Sequence, residues 1–185
     1  GYTGSAQHRV HDPSNNKFPN VPDYKYLGLI FDPTMKWETH TKKIYNSANG
    51  KLRKLEHLLG NRNLGIHIKM RLFEENIRSK MVYGSLAWGK AKSANKLNKV
   101  QEESLLKSTN LEEGWYKALQ GELGMNDLDS RREMVLLKYY FKTMNMKDTR
   151  IPKRILLRKW PNRINSHSML AIMKGIMKRW KVGIE

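Results

Sequence analysis

The sequence predicts a mainly α-helical chain: a short β-hairpin or strand element, then a helical bundle, then a basic helical C-terminal extension. Aromatic and aliphatic residues fill Tyr24–Phe31, and Pro22 and Pro33 bound this run, which is typical of a strand. From Trp37 onward, apolar residues recur every three or four positions, which is the period of a helix. The last 39 residues contain eleven basic and two acidic residues, so they carry +9 of the net charge of +18. The predicted divisions are residues 1–36, 37–146 and 147–185.

The N-terminal 23 residues predict a loop, because they are rich in Gly, Ser, Asn and Pro and show no helical period. A short strand is expected there only around Ala6–Val10, before a turn at Asp12–Asn16. The first helix begins near Trp37 and ends at Gly60, a typical helix terminator. Its apolar stripe is Trp37, Thr41, Ile44, Ala48, Leu52, Leu55 and Leu59.

Two further helices are predicted in the middle of the chain. The second helix should break near Tyr83–Gly84, because glycine interrupts helices. Its apolar face is Ile66, Met70, Phe73 and Ile77. The third helix spans about Ala94 to Lys107. Its stripe is Leu97, Val100, Gln101, Ser104 and Leu105.

Four more helices follow. A short one near Trp115–Leu123 ends at Gly124, and the next starts after Asp127–Asp129, where aspartate suits an N-cap. That helix carries Met134, Leu137, Phe141 and Met144 on its predicted apolar face. Pro152 suits the first turn of a helix over Ile151–Trp160.

The last helix begins near Asn165 or Ser166 and is strongly amphipathic. Its apolar stripe is Met169, Ile172, Met173, Ile176, Met177 and Trp180, and its other face carries Lys174, Lys178 and Lys181. Three interpretations are open: a core helix, a helix on a membrane surface, or a helix in a partner's groove. We favour packing onto the bundle with the lysines outward.

Composition excludes several classes of function. The chain has no cysteine, which excludes a disulfide framework, a thiolate zinc site and a cysteine nucleophile. No apolar run approaches the roughly 20 residues of a membrane span. The net charge of +18 and the pI near 10.1 favour a polyanionic partner, nucleic acid first and an anionic membrane surface second.

Several short motifs occur in a distinctive order within residues 21–146. They are Tyr26-Leu27-Gly28, Trp37-Glu38-Thr39-His40, Tyr83-Gly84 with Trp88, Leu97 to Gln101, and Arg131-Arg132 with Tyr139. In this order they resemble the thumb or post-palm region of a non-LTR (jockey-like LINE) retrotransposon reverse transcriptase. The resemblance implies a thumb-like helical bundle, with Tyr26, Leu27 and Gly28 as a primer-grip-like hairpin. We expect the glycine to let another backbone approach closely. Beyond Asp148 the sequence shows no resemblance to this family.

Catalysis by this chain alone is not expected. Polymerases of the resembled family hold two metal ions with an Asp-Asp pair and an upstream aspartate, and this sequence has no Asp-Asp pair. Asp127 and Asp129 come nearest but suit helix caps. The spacing His8-x-x-His11 lacks a third ligand, and His40 and His67 are expected on helix surfaces or at caps. We therefore predict no catalytic residues, no metal site and no cofactor.

Three basic stripes are the candidate nucleic-acid-binding residues, since phosphate contacts require cations without base readout. On the first helix they are Lys42, Lys43, Lys51, Arg53 and Lys54. In the extension they are Arg150, Lys153, Arg154, Arg158 and Lys159. On the last helix they are Lys174, Lys178 and Lys181. The alternative for each stripe is a solvated helix face.

The sequence leaves three hypotheses of function. The first is a non-catalytic nucleic-acid-binding module, derived from a reverse-transcriptase thumb, that holds RNA or an RNA–DNA duplex. The second is a small structural, RNA-anchoring subunit of a large ribonucleoprotein, with protein partners. The third is one piece of a split reverse transcriptase whose palm is elsewhere. All three predict an intracellular location, in the nucleus or a ribonucleoprotein compartment, and no membrane span.

Overall fold

A computed structural model describes residues 23–157 and 169–180, and over these residues the chain is mainly helical, as predicted. Strand β1 (Tyr24–Tyr26) pairs antiparallel with β2 (Leu29–Phe31), with Tyr26 opposite Leu29. Leu27 and Gly28 join the strands with φ of 46° and 82°. A two-residue turn with two positive φ values matches the right-handed twist of the strands. The predicted strand element is therefore a complete hairpin.

Helix α1 (Glu38–Gly60) follows the hairpin, with the predicted start and end. The carboxylate of Asp32 fixes its entry: Oδ2 accepts a hydrogen bond from Trp37 N at 2.9 Å, and Oδ1 accepts one from Thr34 N at 3.0 Å. The predicted stripe is confirmed, because its residues are buried or half-buried. Ala48, Leu52 and Leu59 are fully buried, Trp37 and Thr41 are buried, and Ile44 and Leu55 pack at the edge of the core.

The second predicted helix is a composite. It consists of α2 (Ile66–Phe73), a π-helical turn (Glu74–Arg78) and α3 (Ser79–Val82). It breaks at Tyr83–Gly84, as predicted, and α4 (Ser85–Trp88) follows.

Phe73 and Ile77 of this composite helix are buried, but Ile66 is 38% exposed, so its assignment to the apolar face was wrong. Lys69 is buried instead, and its Nζ donates to the carbonyl of Ser108 at 2.9 Å. This bond gives a partner to a carbonyl near the C-terminal end of the third predicted helix. The side of α2 that carries Lys69 therefore faces inward.

The central helices follow the prediction closely. Helix α5 (Lys96–Thr109) buries all five residues of its predicted stripe. Helix α6 (Tyr116–Glu122) ends just before Gly124, which has a φ of 59°. Helix α7 (Leu128–Met144) has Asp127 as its N-cap, whose side chain accepts a hydrogen bond from Ser130 N at 2.6 Å.

The predicted apolar face of α7 was wrong in part. Met134 and Phe141 are 38% and 45% exposed, whereas Arg132 and Glu133 are buried beside Leu136 and Leu137. Apolar residues occupy most sides of α7, so periodicity alone does not define the buried side. Ion pairs of Arg132 and Glu133 select it instead.

The C-terminal elements are α8 (Ile151–Leu157) and α9 (Met169–Arg179). Met173, Ile176 and Met177 of α9 are buried against Leu136 and Leu137 of α7, and Lys178 is exposed. Packing onto the bundle, the favoured interpretation, is therefore confirmed for the described part of α9. The predicted strand at Ala6–Val10, the turn at Asp12–Asn16, the helix end at Trp160 and the start of the last helix lie outside the described residues.

The main core lies where α1, α2, α3 and α5 meet, with Leu52, Phe73, Ile77 and Leu97 fully buried. Helices α4 and α7 pack on this core through Trp88, and α9 lies on α7. Within the two described ranges, no helix has the length and hydropathy to cross a membrane.

Candidate nucleic-acid interface

The solvent face of α1 carries its cations in two rows. Lys42 and Arg53 are eleven residues apart, and so are Lys43 and Lys54, and all four are exposed. Eleven residues make three helical turns, so each pair lies along one side of α1 over about 16 Å. The two rows are about 100° apart around the helix axis. Lys51, half-buried, lies beside the second row toward the bundle.

Mostly small residues separate the two rows. Helical spacing puts Thr39, Asn46, Gly50 and His57 on the side between them, and all four are exposed. A Cβ built on Gly50 would meet no atom within 4 Å. Packing therefore does not require this glycine, although glycine costs roughly 1 kcal/mol inside a helix relative to alanine. The result is a shallow strip bordered on both sides by cations.

No acidic residue lies between the two rows of α1, but Glu38 and Glu56 border the row of Lys42 and Arg53, one turn from each cation. The helix contains two acids: Glu38 in the first turn and Glu56, which pairs with Lys107 of α5. The hydrogen bond and charge of Lys107 lower the pKa of Glu56, and the charge of Arg53 contributes less. Among the described residues, no ion pair neutralises the five cations of α1.

Lys80 of α3 extends this surface, and the sequence reasoning missed it. Partial desolvation, and then the neighbouring charge of Lys80, lower the pKa of Lys51, so the two ammonium groups lie close together. Neither ammonium pairs with an acid in the described part of the chain. Two adjacent, unneutralised cations on neighbouring helices favour an anionic ligand. Packing of α3 on α1 brings them together, and sequence spacing carries no signal of it.

The second predicted stripe is only partly a free cationic surface. Arg150 and Arg154 are exposed at the start of α8 and one turn into it. Lys153 is half-buried: its Nζ pairs with Asp148 at 2.8 Å and donates to the Met146 carbonyl at 3.0 Å. Arg158 and Lys159 lie outside the described residues, so this stripe is seen only in part.

The third stripe is represented by Lys178, which is exposed on α9. Its neighbour Arg179 pairs with Glu133 of α7 at 2.5 Å. The side chain of Lys174 and the whole of Lys181 lie outside the described part of the chain. Among the described residues, exposed cations without an ion-pair partner are therefore grouped most closely on α1 and α3.

The predicted primer-grip-like hairpin projects into solvent. Tyr26 and Leu27 are 55% and 71% exposed. Tyr83 holds the turn: its Oη donates to the Leu27 carbonyl at 3.0 Å, and a Cβ on Gly28 would lie 3.4 Å from its ring. The close approach expected at Gly28 is therefore made by a side chain, not by another backbone. Gly84 has the same role, since its Cβ would lie 2.6 Å from Leu29 Cδ2.

The Trp-x-x-His motif is part of the core, and the expectation that His40 lies on a helix surface or at a cap was wrong. His40 is 3% exposed, and its Nδ1 accepts a hydrogen bond from Ile30 N at 3.3 Å. Its ring lies 6.0 Å from that of Trp37 and 5.6 Å from that of Trp88, centroid to centroid. His40 therefore ties the hairpin to α1 and α4. His67 is exposed, as expected.

The buried His40 should make the stability of the fold depend on pH. Burial, and then the charge of Lys43, lower the pKa of His40 below its usual value of 6.5. The unfolded chain therefore binds the proton first, so the contribution of His40 to stability is present above about pH 6.5 and is lost as the pH falls below it. Urea unfolding should show a lower free energy of unfolding at pH 5.5 than at pH 7.5.

An asparagine side chain at position 40 can still accept the hydrogen bond from Ile30 N but does not titrate. His40→Asn should therefore reduce the difference in stability between pH 5.5 and pH 7.5, whereas His67→Asn, at an exposed histidine, should leave it unchanged. Equal pH dependence in wild type and both variants would mean that His40 is not the titrating group.

The remaining motif residues have structural contacts. Gln101 is buried, and its Nε2 donates to Tyr116 Oη at 3.3 Å and to the Asn126 carbonyl at 3.2 Å. Arg132 is fully buried, pairs with Asp129 at 2.5 Å and lies over the Trp88 ring at 5.9 Å. These residues join α4, α5 and α7.

Asp127 is the N-cap of α7, as expected, but Asp129 lies inside the helix and pairs with Arg132, so its prediction as a cap was wrong. Asp129 also accepts a hydrogen bond from Asn98 Nδ2 at 2.9 Å. Burial raises the pKa of Asp129, but the hydrogen bond from Asn98 and the charge of Arg132 outweigh it and lower the pKa overall. In the described ranges, no group of three or more His, Asp or Glu side chains could hold a metal ion. His8 and His11 lie outside those ranges.

Comparison with known proteins identifies no relative: no family model, no curated protein and no solved structure matches this chain.

Proposed function

We propose that this chain is a non-catalytic nucleic-acid-binding module, derived from the thumb of a non-LTR reverse transcriptase. It holds RNA or an RNA–DNA duplex through phosphate contacts. The observation that carries the proposal is the exposed basic face of α1, extended by Lys80, whose cations form no ion pair among the described residues. Cations that no ion pair neutralises attract a polyphosphate backbone and release its counterions on binding.

The geometry of α1 supports contact with a backbone rather than with base edges. Lysine and arginine form both rows, and the residues between the rows are small, apart from His57 at the C-terminal end of the strip. Phosphate contacts of this kind position a protein on a duplex and carry no sequence information. We therefore propose recognition by charge and shape, in which the packed core keeps the rows fixed.

Exposed apolar residues on α8 favour a second candidate function. Ile151, Ile155 and Leu157 are 68%, 62% and 49% exposed. Apolar residues grouped on one short helix are typical of contact with another protein. This favours an RNA-anchoring subunit of a ribonucleoprotein, or a polymerase piece that meets its palm, over a module that acts alone. Co-purification with one defined RNA and many proteins would support the ribonucleoprotein.

The salt dependence of binding tests the proposal. Anisotropy titrations of the 185-residue chain with a fluorescein-labelled, 20-base-pair RNA–DNA duplex should give log K falling linearly with log [salt]. For about four or five phosphate contacts the slope should be about −3 to −4.5. Removing two cations by Lys43→Gln and Lys54→Gln should reduce the slope by about 1.5 and the affinity at 0.1 M salt on the order of tenfold.

The matched control removes two exposed lysines elsewhere, by Lys117→Gln and Lys138→Gln on α6 and α7. It changes the net charge equally and should leave the slope close to wild type. An equal loss in both double variants would show that net charge alone drives binding. Absence of binding by the wild-type chain at low salt would refute the proposal.

A further inference from the structure

An open cleft lies where the π-helical turn, α3 and α7 meet. Its volume is about 480 Å³, and its walls include Glu74, Glu75, Arg78, Tyr83 and Arg131. Clefts of about 300–1,000 Å³ are the usual size for a small ligand. The α1 face does not include any of these residues, and the function proposed above does not use them.

Two arginines converge on this cleft. Arg78 belongs to the π-helical turn and is 6% exposed, yet its guanidinium makes one hydrogen bond among the described residues, with Glu74. Burial, and then the charge of Arg131, lower the pKa of Arg78. Arg131 is exposed and has no ion-pair partner in the described part of the chain. A π-helical turn is costly and is frequently found at functional sites.

Tyr83 supplies a rigid aromatic surface at the rim of the cleft. Tyr83 is 59% exposed although its side chain has fixed contacts. The hydroxyl is held by the Leu27 carbonyl, and one ring edge lies against Gly28. The hairpin therefore sets the ring orientation before any ligand binds. Exposed, preorganised aromatic rings stack on nucleobases without regard to sequence.

We propose that this cleft binds one unpaired nucleotide of an RNA or DNA strand, with the phosphate between Arg78 and Arg131 and the base stacked on Tyr83. Arginine suits the phosphate because its planar fork donates two parallel hydrogen bonds. The site rests on the proposed nucleic-acid function and deepens it, because α1 contacts a duplex backbone and the cleft takes a nucleotide outside the duplex.

The acidic wall sets the orientation of the nucleotide. Glu74 is engaged by Arg78, and Glu75 pairs with Arg71 at 2.9 Å. Both carboxylates repel a phosphate, so between the two arginines the phosphate lies nearer to Arg131. The same wall disfavours a continuous duplex backbone, which would bring several phosphates to it. The cleft therefore selects a single nucleotide at the end of, or beside, a duplex.

Anisotropy titrations of the full chain with fluorescein-labelled probes test the site. The probes are a 12-nucleotide uridine strand, an abasic 12-mer with the same backbone, and a blunt RNA duplex. Tyr83→Leu removes the stacking surface and should weaken the uridine strand on the order of fivefold to a hundredfold, while leaving the abasic strand and the duplex unchanged. Tyr83→Phe keeps the ring and should lose less affinity for the uridine strand than Tyr83→Leu does. Tyr24→Leu, at an equally exposed tyrosine of β1, is the matched control.

Arg131→Gln should weaken the uridine and abasic strands alike, because it removes a phosphate contact, and Arg62→Gln is its charge-matched control. Equal losses with the abasic and uridine strands in Tyr83→Leu would overturn the stacking role. Binding of the duplex with no binding of the uridine strand would refute the cleft and leave the α1 proposal standing. If neither binds, both proposals fail. Circular dichroism melts identify variants that do not fold. If Tyr83→Leu does not fold, Arg131→Gln decides the outcome, and unchanged affinity of that variant for both strands refutes the cleft.

Discussion

Leu52→Asp is expected to unfold the helical bundle. Leu52 lies in the middle of α1 and is fully buried in the main core, against α3 and α5. The buried cations Lys69, Arg78 and Arg132 are already engaged by other groups of the protein. Burying an unpaired carboxylate costs several kcal/mol, and a domain of this kind is stable by only about 5–15 kcal/mol. Thermal melts at 222 nm should show a large fall in Tm or no cooperative transition.

The matched control is Leu58→Asp on the same helix. Leu58 is 41% exposed, so the aspartate stays in water while the change in helix propensity is the same. Its Tm should fall by no more than a few degrees. Leu55→Asp, at a half-buried position, should have an intermediate effect. An unchanged Tm for Leu52→Asp would mean that the assigned helical register of α1 is wrong.

The helices that the sequence predicted best have most of their apolar residues on one side. Polar residues interrupt the stripes of α1 and α5 at every turn, so only one face of each helix can be buried. Glycine and aspartate at the ends of α1, α6 and α7 defined their boundaries for a local reason, since capping depends on neighbouring backbone groups.

Other features depend on contacts between residues distant in sequence, and the sequence alone did not show them. Lys69 is buried because it caps α5, and His40 is buried because Ile30 needs an acceptor. The π-helical turn is only five residues long, too short to show its own period in the sequence. The sequence pattern therefore predicts one continuous α-helix there. From sequence alone, a single charged residue or histidine is expected at the surface. Such a residue is buried instead where a backbone group distant in sequence needs a hydrogen-bond partner.

The residues of the candidate sites also fall into those that the sequence predicted and those that it did not. The cations of α1 were predicted, because their rows follow from helical spacing on a single element. Lys80, Arg78 and Arg131 were not, because α3, the π-helical turn and α7 must first pack together to place them beside other residues. Lys153 shows the reverse case: its spacing suited phosphate, but Asp148 and a carbonyl engage it locally.

Glu133 is the second position where a large effect on stability is expected. It is 2% exposed on α7 and accepts hydrogen bonds from Lys90, from Arg179 Nη1 at 2.5 Å and from Trp180 Nε1 at 2.9 Å. One buried carboxylate thus joins the segment after α4, α7 and the C-terminal end of α9. Glu133→Gln removes the charge and should lower the free energy of unfolding by about 2–3 kcal/mol, less than for a fully buried pair because Arg179 is largely exposed.

The pH dependence follows from the same contacts. Burial raises the pKa of Glu133, but hydrogen bonds from Lys90 and Trp180 and the charges of Lys90 and Arg179 outweigh it and lower the pKa overall. Since the folded pKa lies below the unfolded value of about 4.5, this stability is present above that pH and is lost as the pH falls through the folded pKa. Denaturant unfolding of Glu133→Gln should therefore show less loss of stability between pH 6 and pH 3 than wild type.

Hydrogen exchange locates the effect within the molecule. Because Glu133 holds the end of α9, amides of α9 should exchange faster in Glu133→Gln, while amides of α1 and α5 keep the protection that the global stability allows. Glu122→Gln, at an exposed glutamate of α6, is the matched control and should change neither stability nor exchange. Unchanged protection of α9 in Glu133→Gln would show that the apolar contacts of Met173, Ile176 and Met177 hold this helix without the carboxylate.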